Sequence, residues 1–265
     1  MNGINDPVAP SSEGDSWARA ESAQHAGDYA SAAAAFSSCP PDPVRGRAPA
    51  DFHAAWCFEK AQQTAQAAAH YALAVERSRE PALTIEAQFR LGWLALQEGK
   101  PEVARRHLAG LVQLADTHGL SNPTVEHARY WLAVCLEGEG QLIDAAARYQ
   151  ALIDEGNPDL WHEAAYRRLL CVSQIGDLRA ALAAAEALLR ADRDTGDPAR
   201  LVALQALARD EKAQIARAMQ LGKQARERFM TRFTADQMGD AYATLYASVL
   251  AQPSSTPSVE PVEAT

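Results

Sequence analysis

Residues 26–36 read AGDYASAAAAF. The stretch is alanine-rich filler, a helix chosen for propensity alone, or one copy of a repeated unit. The three readings separate once Gly27 is taken as a marker and its surroundings are slid along the chain. The pattern returns as AQQTAQAAAHY at 61–71, EGKPEVARRHL at 98–108, EGQLIDAAARY at 139–149 and IGDLRAALAAA at 175–185. The markers are Gly27, Gln62, Gly99, Gly140 and Gly176, spaced by 35, 37, 41 and 36 residues. A period of this length is the mark of a stacked repeat architecture.

Five columns line up on these markers. Ten residues before each stands an aromatic: Trp17, Phe52, Phe89, Tyr130, Tyr166. Seven before stand Ala20, Ala55, Gly92, Ala133 and Leu169, and five after stands alanine every time: Ala32, Ala67, Ala104, Ala145, Ala181. Nine after come Phe36, Tyr71, Leu108, Tyr149 and Ala185, and twelve before, in the last four copies, Ala50, Ala87, Ala128 and Ala164. Each unit therefore reads as two helices around a turn. The aromatic and the small residue three positions on share one face of the first helix. Glycine at the marker ends that helix, because it takes a left-handed conformation at no steric cost. The alanine lets the second helix approach the first closely, and the larger residue four positions later fills the gap. Prolines at 40, 41, 43, 81, 123, 158 and 198 fall near unit boundaries, where they stop one helix or start the next.

Composition agrees. The chain is 48% hydrophobic but only 7% aromatic, so much of its apolar content is alanine, the strongest helix former. Alternating β-branched runs that would signal strands are missing. The fold class expected is all-α: a right-handed α-solenoid of helix-turn-helix units. The segments LGWLALQEGKPEVARRHL and AGDYASAAAAF resemble the tetratricopeptide repeat, with its Leu-Gly, then Gly-x-Tyr, then Ala and an aromatic. The resemblance covers residues 15–190. The aromatic one place later than the usual tryptophan, clearest in ARYWLAVCLEGEG, is similar to a subset found in bacterial cell-envelope assembly proteins.

The organisation expected is a disordered N-terminus over 1–13, five repeats over 14–190, and a degenerate sixth repeat over 191–233, where Glu211 replaces the marker glycine. A terminal capping helix over 234–251 and a disordered acidic tail over 252–265 follow. Terminal units of solenoids are atypical because one face meets water.

A net charge of −9 argues against general nucleic-acid binding, which needs a basic face. The local cluster Arg217, Lys223, Arg226, Arg228 and Arg232 reads as a solvated helix face. No apolar stretch is long enough to span a bilayer. Residues 1–17 carry neither a basic nor an apolar signal region, so the expected compartment is the cytoplasm, or the periplasm if a signal peptide has been removed.

The alignment also disposes of most candidate chemistry. Cys57, Cys135 and Cys171 share one column, five residues before the marker, with Ser22 and Leu94. They read as small packing residues, and no metal-ligand spacing is present. The histidines at 53, 70, 107, 118, 127 and 162 are expected mostly on exposed turns or faces. Asp192 and Asp194 read as linker residues. No catalytic residue, metal or cofactor is expected, and the chain reads as non-enzymatic.

In tetratricopeptide superhelices the first helices line the concave groove, so the resemblance implies which columns face it. These are the aromatic column and the column six before the marker: Glu21, Trp56, Trp93, Val134, Leu170. Basic and amide residues that clamp a partner's carboxylate are not found there. The aromatics either close the seams between units or line an apolar groove for a partner helix or peptide. The groove residues singled out are Trp17, Phe52, Trp56, Phe89, Trp93 and Tyr130. The expected role is a scaffold or adaptor for a protein or peptide partner, the alternative being an envelope-assembly factor. Self-association is open, because solenoid ends and repeat surfaces stack.

Overall fold

A computed structural model describes residues 12–42, 44, 46–157, 159–191 and 197–232. Asp192, Asp194 and the segments 234–251 and 252–265 lie outside the described residues. The chain divides into two compact units, Met1–Glu211 and Lys212–Thr265. Within the first, helices fall in pairs: α1 (Ser12–His25) with α2 (Tyr29–Ser38), α3 (Ala48–Lys60) with α4 (Thr64–Arg77), and α5 (Pro81–Gln97) with α6 (Pro101–His118). α7 (Pro123–Gly138) with α8 (Leu142–Glu155) and α9 (Trp161–Ile175) with α10 (Leu178–Arg190) complete five helix-turn-helix units. Helices adjacent in sequence pack on one another, and α5 also meets α7. The result is a right-handed α-solenoid of tetratricopeptide-like units.

Every marker residue sits in the left-handed region: Gly27, Gly99, Gly140 and Gly176 have φ of 79°, 71°, 77° and 89°, and Gln62 has 59°. Gln62 is the one non-glycine with positive φ among the described residues. A side chain there crowds the following carbonyl, so the second unit turns in the same way as the others at a local cost. The residue after the marker caps the next helix where it is aspartate. Ser31 N donates to Asp28 Oδ1 (3.1 Å) and Ala180 N to Asp177 Oδ1 (3.0 Å), satisfying donors that the first helical turn leaves free. The longest spacing, 41 residues, from Gly99 to Gly140, is absorbed by longer helices: α6 has 18 residues and α7 has 16.

The columns read from sequence are the core. All five alanines after the marker are fully buried, as are Phe36, Tyr71, Leu108, Tyr149 and Ala185 nine positions after it. Ala20, Ala55, Gly92, Ala133 and Leu169 are buried too. At Gly92 the close approach is literal, since a Cβ would come within 2.9 Å of Leu108 Cγ.

Over the expected sixth repeat the structure differs. Residues Pro198–Arg232 form one helix, α11, 35 residues long. No turn interrupts it at Glu211, because glutamate is a good helix former and offers none of glycine's left-handed freedom. Its first half docks on the fifth unit. Leu201, Leu204 and Ala208 are buried, and Gln205 Nε2 donates to the carbonyls of Leu188 (3.2 Å) and Ala191 (3.3 Å) at the end of α10. Ser173 Oγ donates to Glu211 Oε1 at 2.6 Å. The second compact unit is described through Arg232 as the remainder of α11, and Arg217, Lys223, Arg226 and Arg228 are exposed along it. At the other end, α1 begins at Ser12, two residues inside the expected tail.

Candidate functional site

The first helices α1, α3, α5, α7 and α9 present a repeated face. Positions ten, six and three before the marker are separated by four and three residues, so they lie together. In the second unit these are Phe52, Trp56 and Glu59; in the third, Phe89, Trp93 and Leu96; in the fourth, Tyr130, Val134 and Glu137.

Trp17, Phe52, Trp56, Phe89 and Trp93 are all half-buried. Tyr130 differs, with only 7% exposed, and belongs to the seam beneath the face. Most of the rings meet another ring across a turn or a unit boundary. Trp17 meets Phe36 edge-on at 5.1 Å and His53 at 5.3 Å, while His53 stacks on Phe36 at 5.1 Å. Tyr29 meets Trp56 edge-on at 5.7 Å, and the Lys60 ammonium lies over the Trp56 ring at 5.3 Å. Phe52 packs on Tyr71 at 5.4 Å. Trp93 meets Trp131 at 5.3 Å, and Trp131 meets Tyr130 at 5.4 Å. Trp131 was not among the residues singled out from sequence. It stands nine before its marker, in a column whose other members are Ala18, His53, Arg90 and Arg167, so no aromatic pattern marks it.

A second feature escaped the column reading. Tyr71 Oη donates to Glu59 Oε2 (2.8 Å), and Arg90 of the next unit lies 3.4 Å from Glu59 Oε1. Two units later the same three positions repeat it. Tyr149 Oη donates to Glu137 Oε2 (2.7 Å), and Arg167 Nη1 donates to the same oxygen (3.0 Å). Arg167 Nε also donates to Tyr130 Oη at 2.9 Å. Burial, reinforced by the adjacent carboxylate, pushes both tyrosine hydroxyls far above their usual range, so they stay donors. At the intervening boundary the equivalent positions are Leu108, Leu96 and Trp131, which pack in one apolar cluster. The polar trios neutralise their own cations, since Arg90 also pairs with Glu86 (3.5 Å) and Arg167 with Glu163 (3.6 Å).

The remaining candidates resolve as packing. Cys39, Cys57, Cys135 and Cys171 are free and buried. Burial pushes the thiols of Cys57, Cys135 and Cys171 up to about 11, the opposite of an activated nucleophile. The histidines depart from expectation. His118 is exposed, but His53, His70, His107 and His127 are half-buried and His162 is buried. Desolvation holds His53, His107 and His162 below the usual imidazole range, with Glu21 partly opposing it at His53. They are neutral packing groups near pH 7. Asp51, 1% exposed, is held by Arg77 (2.8 Å) and Arg47 (3.7 Å), a buried ion pair that ties α4 to α3. Among the described residues no group of three or more His, Cys, Asp or Glu is placed to hold a metal ion, and no helix is long and apolar enough to cross a membrane.

Comparison with known proteins agrees with the fold. A family model described as tetratricopeptide repeat matches residues 50–78, which run from α3 to just past the end of α4. Among solved structures, MamA AMB-1 is 16% identical with a TM-score of 0.50, over 65% of this chain and 87% of that one. The apo form of RapI is 10% identical with a TM-score of 0.52, over 90% and 85%. BtubC (BKLC) from P. vanneervenii is 14% identical with a TM-score of 0.52, over 98% and 100%. At these identities the likeness is one of fold. No curated protein sequence matches the chain.

Proposed function

We propose that this chain is a non-enzymatic interaction scaffold that holds a helical or extended segment of a protein partner along the first-helix face. The observation that carries the reading is a contrast in burial. The alanine column and the large residues nine after the marker are fully buried, so the solenoid core closes on them. Trp17, Phe52, Trp56, Phe89 and Trp93, with Trp131, are only half-buried, and their accessible parts are taken as one binding face. Rings packed on one side and open on the other supply large, rigid contact area at low entropy cost, which is why aromatics dominate binding hot spots. The cations near the face are committed to Glu59, Glu86, Glu137 and Glu163, so recognition rests on apolar contact rather than on a carboxylate clamp.

The test is affinity capture of partners with the wild type beside Trp56→Ala/Trp93→Ala, each checked by far-ultraviolet circular dichroism. The expected outcome is loss of captured partners from the variant with its helical spectrum retained. A variant that unfolds would assign these rings to the core, and unchanged capture would move the site elsewhere.

A further inference from the structure

The second half of α11 has a charge unlike the rest of the chain. Lys212, Arg217, Lys223, Arg226, Arg228 and Arg232 face a single acid, Glu227, between 212 and 232. The remainder of the chain holds nineteen basic residues against thirty-three acidic ones. The same half-helix keeps apolar side chains in water: Leu221 is 66% exposed and Met230 61%. A basic helix with exposed apolar residues is a ligand in search of an acidic, apolar surface.

The first-helix face has that character. Glu21, Glu59, Glu86, Glu137 and Glu163 lie along it, against Lys60, Arg90, Arg167 and Arg200. Glu21 is exposed and stands in the same column as Trp56 and Trp93. Apolar rings beside a surplus of carboxylates complement a helix that pairs apolar side chains with cations.

We propose that the basic second half of α11 of one copy docks on the aromatic first-helix face of a second copy of this chain. The proposal rests on the scaffold reading above and names one occupant for that face. Such a contact joins two different surfaces, so each copy keeps one free face and one free helix, and association runs head to tail beyond the dimer. Met219 and Met230, which lie on one side of the helix, meet the tryptophan rings, while Lys223 and Arg226 beside them meet the carboxylates.

The experiment is sedimentation velocity and light scattering on the full chain over a wide concentration range. Wild type is expected to gain mass with concentration past a dimer and to weaken more than about tenfold between low and high salt. Lys223→Glu/Arg226→Glu/Arg228→Glu is expected to be monomeric, as is Trp56→Ala/Trp93→Ala. An equimolar mixture of the two variants is expected to stop at a one-to-one dimer, since one intact helix and one intact face remain. If the tryptophan variant loses helicity, Glu21→Arg replaces it and is expected to weaken association several-fold.

A wild type that stays monomeric, or a helix variant that still assembles, overturns the proposal. So does wild-type chain that binds anionic phospholipid vesicles or duplex DNA through the same three residues without self-association. If the helix variant is monomeric but the tryptophan variant still assembles, α11 docks elsewhere. The proposal then falls while partner capture continues to test the face independently.

Discussion

The boundary between the second and third units and the boundary between the third and fourth use the same three positions with opposite chemistry. The first is joined by Tyr71, Glu59 and Arg90 through a hydroxyl donor, a carboxylate and a guanidinium. The second is joined by Leu108, Leu96 and Trp131, with no polar atom among the side chains except the indole nitrogen. The backbone arrangement is alike on both sides. What differs is how a boundary is specified: by directional bonds that tolerate one geometry, or by apolar volume that tolerates several. Removing one member leaves a buried polar group unpaired in the first case and a cavity in the second.

The largest effect is expected at the apolar boundary. Leu108→Ala empties space against Gly92, whose missing Cβ leaves nothing to refill it, and is expected to cost about 3 kcal/mol. Urea unfolding would measure this, and a loss below about 1 kcal/mol would mean that Trp131 collapses into the space. At a polar boundary, Glu137→Leu strands the Tyr149 hydroxyl and the Arg167 guanidinium. The expected cost is about 2 kcal/mol, reduced from the fully buried case because the Glu137 side chain is 19% exposed. Equal unfolding midpoints for this variant and the wild type would show that water satisfies both donors.

A smaller effect separates the turns of the same two units. Gln62→Gly relieves a left-handed glutamine at a position where Gly99 already has glycine, and it is expected to stabilise by about 0.5 kcal/mol after the entropy lost to a freer unfolded chain. The reciprocal Gly99→Gln should cost a similar amount, and failure of the pair to mirror one another would show that the two turns are not equivalent. Little change is expected from the most drastic edit. Grafting the apolar set onto the polar boundary, as Tyr71→Leu/Glu59→Leu/Arg90→Trp, should leave stability within about 1 kcal/mol of wild type, because a buried polar set replaced whole by apolar groups is close to neutral. A deficit as large as that of Glu137→Leu would give the polar boundary a role that packing cannot replace.

Much of this architecture was readable from residues 14–190. Ala32, Ala67, Ala104, Ala145 and Ala181 mark helix contacts so tight that no other side chain serves, and that constraint survives as identity. The markers were equally plain, and even Gln62 kept its place because the columns around it held. Less legible was anything set by an exchange between columns. Tyr71, Glu59 and Arg90 sit in three separate columns, and only their joint return at Tyr149, Glu137 and Arg167 signals a bonded set. Trp131 occupies a column filled elsewhere by Ala18, His53, Arg90 and Arg167. Exposure of histidines was misjudged because an imidazole serves as a packing ring, as His53 does against Phe36. Past residue 190 the absence of glycine at Glu211 left the end of the helix to tertiary context, and the chain ran on as a single element.

The buried thiols give the array a built-in clock. Cys39 closes the first unit, Cys57 lies in the second, Cys135 in the fourth and Cys171 in the fifth, while the third has Leu94 in that column. A thiol pushed up to about 11, as in Cys57, Cys135 and Cys171, reacts at neutral pH only in the moments when its helix pair swings open. The rate at which each sulfur is alkylated in the native protein therefore times the breathing of its own unit, and the array can be read from end to end without adding a label.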